Sequence, residues 1–153
     1  MRLATTLTAA LIGLPSAAWA QGPDGATLFA RCAACHLPDG AGVPGAFPAL
    51  RAQVGRYAAV PAGRAYLVSV VSHGLTGAVA AAGMVYSGFM PAQTLSDEEV
   101  ATVLNHVIHD IAAPGSKAAP FTGAEVAALR QGREGASAQD SRALRPDDLA
   151  VDP

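Results

Sequence analysis

Apolar side chains recur at helical spacing most clearly between residues 100 and 111. Val100, Val103, Leu104, Val107, Ile108 and Ile111 fall there on one stripe. Immediately before it, Ser96-Asp97-Glu98-Glu99 has the form of a capping box, with Leu95 and Val100 placed to staple the entry of the chain. Pro114-Gly115 ends this helix. The same cap logic returns at Thr122 with Glu125, flanked by Phe121 and Val126, and predicts a short helix to about Gln131. Upstream, residues 22–35 predict a helix with Asp24 as its N-cap. Arg64 to Val71 predicts another, closing near His73-Gly74, where Gly74 suits a left-handed C-terminal residue. Between these two helices stand Pro38, Gly40, Gly42, Pro44, Gly45, Pro48 and Gly55. That density makes residues 37–55 a loop whose path is set by turns. Gly77 to Gly88 is rich in Ala and Gly around Met84-Val85-Tyr86, which suggests a small turn or hairpin before Phe89-Met90-Pro91. No repeat and no strand-rich region is visible, so the pattern predicts an all-α domain.

The first twenty residues follow a different rule. Met1-Arg2 gives a positive start, Leu3 to Leu14 an apolar run, Pro15 a break, and Ala18-Trp19-Ala20 a small-x-small site. This reads as a secretory signal cleaved after Ala20. The run has about 12 residues against the roughly 20 that a membrane-spanning helix needs, so no stable membrane span is expected afterwards. Residues 21–112 then form the domain, 113–131 a linker plus short helix, and 132–153 a polar tail expected to stay mobile. Removing Arg2 leaves 9 basic against 12 acidic side chains, so the formal charge moves from −2 to −3. With no basic stripe, nucleic acid is not an expected partner.

The chain has only two cysteines, Cys32 and Cys35, in Cys32-Ala33-Ala34-Cys35-His36. So short a loop would make a poor structural staple, because closing it removes little unfolded-chain entropy. Three chemistries use such a pair. A thioredoxin-type dithiol usually sits in a βαβ context, which this sequence lacks. A zinc site would need a second pair of ligands at recognisable spacing. Covalent haem attachment needs what is present: two thiols on adjoining turns for the two vinyl groups, and an imidazole directly after them for the iron.

With that motif, the chain resembles the class I cytochrome c family. Asp24 to Phe29 followed by Cys32–His36 is similar to its N-terminal helix. Phe47-Pro48-Ala49-Leu50 is similar to its proximal loop. Phe89-Met90-Pro91-Ala92 with Leu95–Glu99 is similar to its distal-ligand segment entering the C-terminal helix. The likeness covers about residues 22–112 and implies three to five helices around one covalent haem c, followed by a C-terminal extension. It implies Cys32 and Cys35 as the attachment points, His36 as proximal and Met90 as distal iron ligand, a Pro48 carbonyl orienting the imidazole, and Leu50 packed on the haem. Met84 and the remaining histidines, His73, His106 and His109, are the alternatives for the sixth position. Arg51, Arg56 and Arg64 are candidates to hold propionates, as are Tyr57, Tyr66 and Tyr86. One departure stands out: Leu28 lies four residues before Cys32, where the family more usually has its aromatic. Phe29 stands three before. His106, on the flank of the apolar stripe, is placed to pack against Leu28 or Phe29.

A haem with both axial positions filled leaves no vacant site for a substrate, which suits electron transfer rather than catalysis. The expected protein is a periplasmic single-electron carrier, not itself an enzyme. Its expected partner is a dehydrogenase that donates electrons or a terminal oxidase or reductase that accepts them. Without Met90 on the iron, a five-coordinate haem would instead suit gas binding or sensing.

Overall fold

The computed structural model describes residues 22–51 and 53–146. The leader read at 1–20 lies outside the described residues, as do positions 147–153 of the tail. In chain order the elements are α1 (Gly25–His36), α2 (Val54–Ala58), α3 (Pro61–His73), β1 (Leu75–Ala81), β2 (Met84–Met90), α4 (Asp97–His106), a π-helical continuation Val107–Ala112, α5 (Gly123–Arg130) and α6 (Ala138–Ala143).

Two contacts fix α1 against α4. The Asp24 carboxylate accepts the Thr27 N–H at 2.8 Å and caps α1; that bond holds the carboxyl below the ordinary carboxylate range. Gly25 then lies directly on His106. A Cβ at residue 25 would stand 2.5 Å from the His106 Cβ. One turn on, the Phe29 and His106 rings pack at 5.7 Å between centroids, tilted by 58°. The imidazole thus takes the interhelical packing role that the sequence offered it, with Phe29 as its partner. Gly25→Ala should push the two helices apart and lower the unfolding free energy by about 1–3 kcal/mol, read as a lower denaturant midpoint at unchanged slope.

The Ser96 capping box forms as its sequence predicts. The Glu99 N–H donates to Ser96 Oγ at 3.2 Å and the Ser96 N–H to Glu99 Oε2 at 2.8 Å. Val100 and Ile108 from the stripe are fully buried, with Val103, Leu104 and Val107 beside them. The helix does not stay α throughout. From Val107 it widens, and the Ala113 N–H reaches back five residues to the Ile108 carbonyl at 3.1 Å.

Two expectations need correction. The fold is mostly helical rather than all-α, because residues 75–90 form an antiparallel hairpin from Leu75↔Met90 to Ala81↔Met84. Its turn residues Ala82 and Gly83 both take positive φ, 49° and 71°, the backbone whose twist matches that of the paired strands. The second correction concerns the extension, which packs at least as far as Pro146. Ser137 and Asp140 form a second capping box ahead of α6. Ser141 is fully buried, where it donates to the Ser69 carbonyl at 3.1 Å, and its hydroxyl lies 2.9 Å from that of Ser69. Arg142 Nε donates to the Ala78 carbonyl of β1 at 3.0 Å. Further up, Arg64 grips Glu125 of α5 through two bonds of 2.6 Å and lies 3.7 Å from the Phe121 ring centroid. The polar composition of this stretch points to a solvated tail. Its polar groups are instead partners for α3 and the hairpin.

Candidate functional site

The last turn of α1 presents Cys32, Cys35 and His36 together. No disulfide joins Cys32 to Cys35, and burial pushes the Cys32 thiol above its ordinary pKa. Leu37 ends the helix at φ +65°, and the chain reverses so that the Gly42 N–H donates to the His36 carbonyl at 2.9 Å. The His36 ring is buried at 8% exposure and its Nδ1 lies 2.9 Å from the Pro48 carbonyl oxygen. A carbonyl can only accept, so Nδ1 is the donor, and the neutral ring keeps its lone pair on Nε2. Burial lowers the pKa of this imidazole, while the Pro48 bond opposes the shift.

Two apolar cavities of about 140 Å³ each open beside this imidazole. Cys32, Leu50, Tyr57 and Tyr66 line the first; Cys35, Phe47, Tyr86 and Pro91 line the second. His36, Pro48, Leu75, Val79 and Met90 line both, so the cavities are two halves of one slot with an imidazole and a thioether common to them.

Met90 ends β2, and its backbone is held from α3. Gly74, the residue after α3, has φ +83°, and a Cβ there would collide with the Met90 carbonyl oxygen. The Gln93 N–H then donates to the Val71 carbonyl at 2.9 Å. Met84 sits at the other end of β2, 40% exposed, with Tyr86 Oη 3.9 Å from its sulfur, and lines neither half of the slot. His73 lines neither half, and its Nε2 has no partner among the described residues. His106 is committed to Phe29 and to Asp110 Oδ2, 2.6 Å away; His109 lies on the π-helical segment, away from the slot.

The arginines fall differently from the expectation. Arg51 pairs with Asp39 at 2.6 Å on the surface, and Arg64 is engaged by Glu125. Neither they nor Arg56 line the slot. The arginine that does is Arg145, from the extension. Sequence reading passes over it as part of a tail. The available signal is Ser137-Ala138-Gln139-Asp140, a capping box that announces a helix just before it.

The donor set suits a flat apolar group with a metal at its centre. A soft thioether and an imidazole with a free Nε2 share the slot, each half carries one thiol, and the walls are apolar. A fold of helices around such a slot defines a small protein of the covalent-haem class. The cytochrome c family model matches residues 23–109, and the chain belongs to that family. It therefore carries haem c with its iron and is a haem-based electron-transfer protein. Two relatives from Thermus thermophilus, both called cytochrome c-552, are each 44% identical over 112 residues, 70% of this chain. The match covers 84% of one relative's length and 74% of the other's.

Proposed function

We propose that this protein carries single electrons outside the cytoplasm, with Cys32 and Cys35 as the residues that would attach the haem and His36 and Met90 as those that would ligate its iron. The observation that carries the reading is that one imidazole and one thioether are shared by both halves of a slot whose halves hold one thiol each. The haem supplies reversible one-electron chemistry. The protein's part is to hold its ligands still. Pro48 fixes the tautomer and orientation of His36. Gly74 and the Gln93–Val71 bond fix the backbone at Met90 and just after it. Leu50, Leu75 and Val79 keep the slot apolar, which favours the less charged ferrous state.

Partner contact is assigned to the apolar surface beside the Cys35 half of the slot. Phe89 is 68% exposed there and Phe47 38%, and both line that half. A small apolar patch suits brief docking to a redox enzyme, either a dehydrogenase or a terminal oxidase or reductase. The N-terminal signal pattern supports a periplasmic location. No helix among the described residues is long and apolar enough to cross a membrane.

Three measurements on protein expressed alongside cytochrome maturation machinery test this reading. Intact mass should exceed the polypeptide by one haem, with no thiol left to alkylate. The ferric spectrum should show the weak red-region band of Met–iron ligation. The ferrous spectrum should not change under carbon monoxide. A high-spin spectrum that shifts with carbon monoxide would replace the carrier with the gas-binding alternative.

A further inference from the structure

Arg145 follows α6 and, among the described residues, is the only charged side chain lining the first, mostly apolar half of the slot. Its Nε donates to Tyr57 Oη at 2.8 Å, and its Nη2 donates to Gln53 Oε1 at 3.2 Å and to the Ala80 carbonyl. All three acceptors are uncharged. Nη1 has no hydrogen-bond partner among the described residues, and no carboxylate side chain there pairs with this guanidinium. The nearby Tyr66 phenol, pushed up to about 12 by burial, brings no negative charge either. Among the described residues this half-buried guanidinium meets only neutral oxygens, and its two Nη1 N–H groups are left for a further acceptor. What completes it is a carboxylate, which matches its planar fork.

We infer that Arg145 anchors a haem propionate, so that the C-terminal extension is a strap fastened onto the cofactor itself. This rests on the haem reading above. Tyr57 and Gln53, both buried, position the guanidinium from α2 and the turn before it. The Ala80 carbonyl ties the same group to β1, and through the hairpin to the strand that ends in Met90. Propionate, strap and Met90 strand then meet at one residue. Arg142, three positions earlier, makes a comparable bond to β1 through Ala78 but does not line the slot. It is the natural control.

Two readouts on the haem-loaded full chain test the anchor. In the reduced, diamagnetic wild type labelled with ¹⁵N-arginine, the Arg145 guanidinium protons should give nuclear Overhauser contacts to propionate methylene protons. Arg145→Gln should lower the reduction potential, because a positive charge beside the haem disfavours the ferric state. Arg145→Lys should recover part of that drop, and Arg142→Gln, with the same charge change outside the slot, should leave the potential at the wild-type value. If the wild type lacks the Overhauser contacts, the anchor is wrong whatever the variants do. If the contacts are present but Arg142→Gln lowers the potential as far as Arg145→Gln does, the effect is general charge and the anchor is again wrong. Should Arg145→Gln fail to fold, the wild-type contacts alone decide. A colourless wild type would be a different failure, that of the haem reading.

Discussion

Met90→Ala should convert a six-coordinate, low-spin protein into one whose iron binds carbon monoxide. The weak red-region band should vanish, and the reduction potential should fall by more than about 59 mV, one tenfold step for a single-electron couple. The direction follows from ligand chemistry. A neutral, soft thioether favours ferrous iron, and water or an open position does not. Loss of packing alone cannot imitate this, because Met84→Ala removes the same atoms from a side chain outside the slot. It should leave band and potential unchanged. If Met90→Ala also leaves them unchanged, Met90 is not on the iron.

The second large effect is expected from Cys32→Ala combined with Cys35→Ala. Denaturing electrophoresis or intact mass should then find no haem on the chain, and the folded population should fall steeply. Leu28, Phe29, Tyr57, Leu67, Val103 and Leu104 belong to the same apolar core as the slot. A slot without its occupant leaves those walls without contact partners, and cavity costs of this kind run to about 24 cal/mol per Å³. Each single variant should keep one thioether and an intermediate stability. A double variant that still holds haem through denaturation would show that attachment lies elsewhere.

What could be read from sequence was what local physics decides. The Cys32–His36 motif is contiguous, so its residues had to meet at one helix end. The Ser96 and Thr122 caps need partners only three residues away, and both formed. The His106–Phe29 contact was readable because His106 flanks a stripe whose facing helix was already placed. The hairpin was harder. Residues 75–81 and 84–90 lack strong alternation, and the pairing depends on a two-residue turn at Ala82-Gly83 that one glycine only hints at. The widening at Val107 was invisible, since the same apolar stripe serves α and π geometry over a single turn. Arg145 was out of reach for another reason: its acceptors Tyr57, Gln53 and Ala80 lie 88, 92 and 65 residues away. No spacing rule connects them. Polarity alone could not show that the Arg64 and Arg142 guanidinium groups would be used to tie the extension down.

The docking of α6 also decides how the molecule opens from its C-terminal end. Ser141 and Arg142 tie that short helix to Ser69 of α3 and Ala78 of β1, and β1 is the strand paired with the one that ends in Met90. Fraying of α6 therefore loosens the brace on the hairpin first, while the α1–α4 contact at Gly25, Phe29 and His106 stays closed.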